Sequence, residues 1–123
     1  MCKEIIILGG GGHAKVLLEI LLMNDEQIKG YVSPEPSKYF KNLNLSYLGN
    51  DEKILNYDSN RISLVNGIGS LPNNNLRWQL DYTFSNRGYK FSKLIHPSSV
   101  VSEDAYLDEG VQIMAGCVLQ PGV

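Results

Sequence analysis

The sequence lacks the features that mark disulfide-stabilised, metal-binding, membrane-spanning or nucleic-acid-binding proteins. Its two cysteines, Cys2 and Cys117, stand alone, so neither a disulfide framework nor a metal site is indicated, and no metal is expected. The most apolar stretch, residues 16–23, is interrupted by Glu19 and is far too short to cross a bilayer. No block of Lys or Arg is present and the net charge is −2. This charge argues against a nucleic-acid or anionic-membrane partner.

The N-terminus also lacks the layout of a signal peptide, because Lys3 and Glu4 lead directly into an apolar strand pattern. A cytoplasmic protein is therefore the simplest interpretation. At 123 residues with 43% apolar side chains, the chain is expected to fold around a core of ordinary domain size.

An α/β pattern occupies residues 1–95. A β-branched run at 5–8 predicts a strand that is buried on both faces of a parallel sheet. Further strands are predicted at 28–32, 62–65 and 90–95, and helices at 13–22 and from Pro72 to Arg87, with Gly88 as a left-handed cap. Asp51 is predicted to cap a short helix, and Leu76, Trp78, Leu80 and Phe84 are expected in the core. Strand–helix alternation of this kind predicts half of a Rossmann-like domain.

A different pattern follows from residue 96 onward, where an apolar residue returns at every sixth position. These residues are Val101, Leu107, Ile113 and Leu119. A period of six is typical of a β-solenoid, in which each hexapeptide forms one side of a triangular coil. Residues 96–123 thus predict little more than the first coil. Because solenoids bury their core by stacking coils, we expect the chain to be part of a longer protein.

Two glycine turns follow predicted strands and precede predicted helices. The run GGGGHA at 9–14 combines backbone freedom with the free N–H groups and positive dipole end of a helix, which suits a phosphate. Gly67 and Gly69 form the second turn. The carboxyl ends of parallel strands meet at one edge, so both turns are expected to border one nucleotide crevice. His13 is predicted to contact the ligand, and His96, before Pro97, is interpreted as structural.

Other interpretations of the glycines remain open at this point. The spacing Gly9-x-Gly11-x-x-Ala14 matches a dinucleotide fingerprint. Such sites want a carboxylate about 20 residues further on, whereas the second strand here ends at Ser33 and the next carboxylate, Glu35, lies beyond a proline. A non-catalytic module that binds a dinucleotide or CoA is therefore the alternative function. A third possibility is that the glycines serve only the turns.

Three stretches together resemble one known family. They are IIILGGGGHAKV at 5–16, NGIGS at 66–70 and LIHPSSVV at 94–101. In this order they resemble the sialic acid O-acetyltransferase and bacillosamine N-acetyltransferase (NeuD/PglD) family. The resemblance implies an N-terminal α/β domain, residues 1–95, that binds a nucleotide-linked sugar. It implies that residues 96–123 begin a left-handed β-helix that forms homotrimers in the full-length protein and binds acetyl-CoA between subunits.

The resemblance also implies roles for individual residues. Gly9, Gly11, Gly12 and His13 would hold the phosphates and the sugar. Gly67, Ile68 and Gly69 would shape the nucleotide pocket. The family often has an Asp pair after the second strand; here Ser33 and Pro34 follow, and Ser33 is included among the substrate-binding residues.

The implied activity is transfer of an acetyl group from acetyl-CoA to a hydroxyl or amine of a sugar, in the biosynthesis of surface glycans or glycoprotein sugars. In this family the catalytic His lies further along the β-helix, beyond position 123. We therefore assign a catalytic role to no residue, including His13 and His96. Residues 1–123 alone are expected to show no turnover.

Overall fold

The computed structural model describes residues 3–41, 43–68, 75–102, 110–114 and 118–119. Its central feature is a four-stranded parallel sheet with the strand order β2-β1-β3-β4. The strands are β1 (Glu4–Leu8), β2 (Ile28–Val32), β3 (Ile62–Asn66) and β4 (Lys90–Phe91). Among the described residues, the α-helices are α1 (Gly12–Met23) and α2 (Leu76–Ser85). The predicted α/β fold with a parallel sheet is therefore confirmed.

The two faces of β1 support two separate apolar clusters. Ile5 and Ile7 pack with the buried residues of α1, whereas Ile6 and Leu8 pack with Leu80 and other residues on the α2 side. Successive residues of a strand point to opposite faces, so an unbroken apolar run is what a strand covered on both sides requires. This burial fixes β1 in the middle of the sheet and places its C-terminal turn between the turns of β2 and β3.

Helix α2 differs from its prediction at its first turn. Leu80 and Phe84 are buried as expected, but Leu76 is 41% exposed because it opens the helix instead of lying one turn inside it. Trp78 is 63% exposed and stacks on Tyr82, with 5.4 Å between the ring centroids, so its prediction as a core residue is wrong. Residues 69–74, which include Pro72, lie outside the described residues.

Two smaller predictions can be checked at the chain turns. Gly88 follows α2 with φ 89°, which confirms the left-handed conformation expected after this helix. The short helix predicted from Asp51 is a 3₁₀ helix, Asp51–Asn56, whose N-cap is Asn50. Asp51 is therefore in the first turn and is not the cap.

The single strand predicted at 90–95 is divided between two sheets. Lys90 and Phe91 pair with β3, whereas β5 (Leu94–Ile95) pairs in parallel with β7 (Gln112–Ile113). Between them, the backbone N–H of Ser92 still donates to the carbonyl oxygen of Leu64 at 2.8 Å. Leu94 is buried in the α1-side cluster, and Met114 of the hexapeptide segment (residues 96–123) packs against the same cluster.

The described part of the hexapeptide segment shows the spacing of a solenoid coil. β6 (Val100–Val101) pairs in parallel with β8 (Val118–Leu119), and paired residues in both short sheets are eighteen positions apart. Eighteen residues correspond to three hexapeptides, which is one turn of a three-sided coil. Among the described residues, neither α1 nor α2 is long and apolar enough to cross a bilayer.

Candidate functional site

The turns after β1, β2 and β3 meet at one edge of the sheet, which we call the carboxyl edge. Leu8, the last residue of β1, is paired with Val32 of β2 and with Asn66 of β3, so the three strands end in register. The backbone N–H of Gly9 donates to Val32 O at 2.8 Å, and that of Gly67 donates to Leu8 O at 2.8 Å. The two predicted glycine turns are therefore neighbours.

Gly9 and Gly67 are required by the packing of this edge. Gly9 has φ 98°, a conformation that side chains with a Cβ rarely adopt. A Cβ at Gly67 would lie 2.7 Å from Leu8 O and 2.8 Å from Ala14 Cβ, because α1 packs directly against the end of β3. The N–H groups of both glycines are donated within the protein. Their part in the predicted site is to shape it, and neither offers its amide to a ligand in this conformation.

The N-terminus of α1 carries a row of backbone N–H groups that have no acceptor among the described residues. The first helical bond is donated by Lys15 to Gly11 O, at 3.1 Å. For the N–H groups of residues 10–14 the structure records no acceptor among the described residues. The N-cap, Gly11, supplies no capping side chain, and the first turn contains no acidic residue. A helix end of this kind favours an anion through its free amides and its dipole.

Gly11 and Gly12 border open space. Both are exposed, and a Cβ built on either would meet no described atom within 4 Å. Neither has a positive φ. Packing and backbone conformation thus explain why positions 9 and 67 are glycine, but they do not explain positions 11 and 12. A ligand that approaches the backbone closely would explain them.

The loop after β2 packs against the glycine turn through two serines. Ser33 is buried, and its hydroxyl donates to Glu35 O, while its N–H donates to Gly49 O at 3.0 Å. The hydroxyl hydrogen of Ser33 is thus committed, and only its lone pairs remain for a ligand donor. The Ser37 hydroxyl donates to Gly10 O and so ties this loop to the turn. Ser37 has no place in the sequence prediction.

A polar network joins four side chains at the carboxyl edge: His13, Asn66, Arg77 and Gln112, hereafter the His13 network. His13 Nε2 lies 3.1 Å from Gln112 Oε1, and Gln112 Nε2 donates to Asn66 O at 2.9 Å. The buried Asn66 side chain donates from Nδ2 to Arg77 O at 2.9 Å, and its Oδ1 accepts from Ile68 N at 3.1 Å. The network therefore connects α1, β3, α2 and the hexapeptide strand β7.

Arg77 places a positive charge in this network. Its Nη1 donates to Ile68 O at 3.0 Å and lies 3.4 Å from His13 Nε2. Within the described ranges, the ion pair recorded is Lys29 with Glu4, at 3.9 Å, so no described carboxylate neutralises the guanidinium. This charge adds to the positive end of α1 and makes the edge more suitable for phosphate.

Seven of the eight residues predicted to bind substrate lie along this edge, and the eighth, Gly69, is outside the described residues. The sequence patterns do not predict three further residues of this site, Asn66, Arg77 and Gln112. Asn66 had a usable signal, since an Asn that follows a buried strand and precedes Gly can hold the turn with its side chain. Gln112 had none, because it is 99 positions from His13 along the chain.

His96 takes part in a local turn. Its Nδ1 accepts from Ser98 N at 3.0 Å and lies 2.8 Å from Ser98 Oγ, while the N–H of Ser99 donates to His96 O at 3.0 Å. The side chain also lines a cavity of about 310 Å³ on the outer side of α1, together with Met23 and Met114. These contacts give His96 a structural role at the start of the hexapeptide segment.

The sequence of this chain is similar to those of known proteins. Residues 4–81 match the family described as the PglD N-terminal domain. The chain is 31% identical over 113 residues to the UDP-N-acetylbacillosamine N-acetyltransferase of Bacillus subtilis (strain 168), a match that covers 92% of this chain and 52% of that protein.

Two solved structures extend the similarity to three dimensions. A variant of perosamine N-acetyltransferase from Caulobacter crescentus, in complex with CoA and GDP-perosamine, superposes with a TM-score of 0.82 at 33% identity, covering 98% of this chain and 56% of that one. The acetyltransferase domain of PglB from Neisseria gonorrhoeae, in complex with acetyl coenzyme A, gives a TM-score of 0.85 at 23% identity, covering 99% and 58%. This second likeness concerns the fold alone.

The chain spans about half the length of these relatives. The family match covers more than half of this chain, from β1 to the middle of α2, and includes both glycine turns. The chain therefore belongs to the PglD N-terminal domain family.

Proposed function

We propose that this chain is the nucleotide-sugar-binding part of an acetyl-CoA-dependent sugar O- or N-acetyltransferase. The observation that supports this most strongly is the row of free N–H groups at residues 10–14 beside the open space over Gly11 and Gly12. The names of two relatives point in the same direction, because both are N-acetyltransferases, and one of the two was crystallised with CoA and a GDP-linked sugar.

In this proposal each part of the ligand contacts a different set of residues at the carboxyl edge. The free amides and Arg77 hold the diphosphate, Gly9 and Gly67 keep the turns close enough for this, and Ile68, Gly69 and Ser33 border the nucleoside. The sugar then lies toward His13. Binding of the diphosphate at a rigid helix end would fix the sugar in one orientation, which lowers the entropic cost of its reaction with a second substrate.

The reaction itself requires parts that this chain does not supply. A sugar amine or hydroxyl attacks the thioester carbonyl of acetyl-CoA; an amide or ester bond forms, the C–S bond breaks, and the proton of the attacking group leaves to a base while CoA departs as the thiol. We assign no base within residues 1–123. The same proposal includes a division between domains at residue 95/96 and a left-handed coil after it. It also includes a homotrimer of the full-length protein, a cytoplasmic location and a place in glycan biosynthesis.

A calorimetric titration of the 123-residue chain tests this proposal. UDP-, GDP- and CMP-sugars are titrated in parallel with NAD and with the free sugars. We expect a nucleotide sugar to bind at least about tenfold more tightly than NAD, because β2 ends without the carboxylate that holds the NAD ribose. We also expect no measurable binding of free sugar.

The matched variants Arg77→Gln and Arg87→Gln identify the edge that binds. Loss of a charge-assisted hydrogen bond at Arg77 should weaken nucleotide-sugar binding by about tenfold, whereas Arg87, exposed beyond the other end of α2, should have no effect. Absence of binding to every nucleotide sugar would contradict the proposal. Preferential binding of NAD would favour the alternative, a non-catalytic dinucleotide-binding module.

A further inference from the structure

The orientation of the Gln112 side-chain amide is determined by its partners. Its Nε2 lies 2.9 Å from Asn66 O, and a backbone carbonyl can only accept a hydrogen bond. The reversed amide would place two oxygens in contact at this distance. The other end of the amide, Oε1, must therefore face His13 Nε2, at 3.1 Å.

This orientation decides which ring nitrogen of His13 carries the proton. A neutral imidazole has one donor nitrogen and one acceptor nitrogen. Because Gln112 Oε1 can only accept, Nε2 must be the donor, and Nδ1 keeps its lone pair. The structure records no partner for Nδ1 among the described residues.

Arg77 favours the opposite tautomer, but more weakly. Its guanidinium can only donate, so it would pair with an unprotonated Nε2. The distance from Arg77 Nη1 to His13 Nε2 is 3.4 Å, longer than the 3.1 Å to Gln112, and the same Nη1 already donates to Ile68 O at 3.0 Å. The contact with Gln112 is thus the shorter one, and Arg77 Nη1 already has an acceptor in Ile68 O.

We propose that Gln112 is a positioning residue that holds His13 in its Nε2–H form, so that Nδ1 accepts a hydrogen from a hydroxyl or amino group of the bound sugar. The ligand part of this inference rests on the function proposed above. It assigns different roles to neighbouring groups: the amides and Arg77 bind the phosphates, and Nδ1 of His13 recognises a donor group of the sugar. It also makes a residue of the hexapeptide segment part of the nucleotide-sugar site.

Nitrogen NMR of the ligand-free chain tests the tautomer directly. In a ¹⁵N-labelled sample at mildly alkaline pH, long-range correlations distinguish protonated from unprotonated ring nitrogens, and we expect His13 Nε2 to be protonated. In Gln112→Met the remaining neighbour of Nε2 is Arg77, a donor, so the proton should move to Nδ1.

The control Gln79→Met makes the same change at an exposed position of α2 and should leave the His13 signals unchanged. An Nδ1–H form in the unmodified chain would overturn the inference, whether or not any variant folds. Identical His13 spectra of the unmodified chain and Gln112→Met would also overturn it.

Binding measurements test the ligand part separately. Gln112→Met should weaken binding of the preferred nucleotide sugar by about tenfold, roughly the effect of one neutral hydrogen bond, and should leave binding of the corresponding nucleoside diphosphate unchanged. Equal losses for both ligands, or no loss for either, would contradict a contact between His13 and the sugar. If the unmodified chain binds neither ligand, the proposed function fails, while the tautomer measurement still decides the role of Gln112.

Discussion

Replacement of Gly67 by Ala is expected to lower the free energy of unfolding by about 3 kcal/mol, at the upper end of the usual cost of overpacking. The added methyl group would lie 2.7 Å from Leu8 O and 2.8 Å from Ala14 Cβ. Leu8 belongs to the central strand and Ala14 to α1, so neither can move without disturbing the sheet or the helix. Chemical denaturation followed by circular dichroism measures the loss.

The same methyl group added at Gly12 is the matched control for this change. It enters open space and should cost no stability. If Gly67→Ala unfolds at the same denaturant concentration as the unmodified chain, the close packing of β1, β3 and α1 at the carboxyl edge is wrong.

Replacement of Gly12 by Ala should have the opposite profile, with a stable fold and impaired binding. Gly12 is the first residue of α1 and has no positive φ, so Ala fits its backbone and should raise the free energy of unfolding by about 0.5 kcal/mol. The new Cβ would occupy the space in which the diphosphate approaches the free amides. We expect the affinity for the preferred nucleotide sugar to fall by about tenfold or more, equivalent to at least about 1.4 kcal/mol.

Calorimetry and denaturation of the same sample separate these two effects. Gly11→Ala, at the adjacent N-cap, should weaken binding as Gly12→Ala does because its surroundings are equally open. Unchanged affinity in both variants would mean that no ligand comes close to these glycines. Positions 11 and 12 would then be glycine for a reason other than ligand binding.

The sequence predicts the first half of this fold well because its signals are local. An unbroken β-branched run needs cover on both faces, and four glycines before an amphipathic stretch place a tight turn before a helix. These signals correctly indicated β1, α1 and their common turn. The alternation of strands and helices likewise predicts a parallel sheet with right-handed crossovers.

The errors occur where tertiary pairing decides the outcome. Residues 90–95 have a strand pattern throughout, but their partners differ: Phe91 pairs with β3 and Ile95 with β7. A pattern of side chains reports burial and not the identity of the neighbouring strand. Trp78 is predicted to lie in the core, whereas on α2 it faces outward and stacks on Tyr82.

The candidate site was predictable in its backbone and not in its side chains. Glycine turns at strand ends are visible in one dimension, and so is a His at a helix start. The contacts of His13 with Arg77 and Gln112 join residues 64 and 99 positions apart. Contacts between residues so far apart depend on how distant parts of the chain pack together, and no local sequence pattern predicts this packing. Gly9 and Gly67 are required by packing, whereas Gly11 and Gly12 border open space, and only the distances to neighbouring atoms reveal this difference.

The most direct test of the account follows individual backbone amides while a nucleotide sugar is added. In ¹H–¹⁵N spectra of the 123-residue chain, the N–H signals of residues 10–14 should shift strongly and saturably, since these groups have no acceptor among the described residues. The signals of Gly9 and Gly67 should move much less, because their hydrogens are already donated to Val32 and Leu8. Saturable binding that leaves residues 10–14 unmoved would contradict the claim that the start of α1 holds the diphosphate.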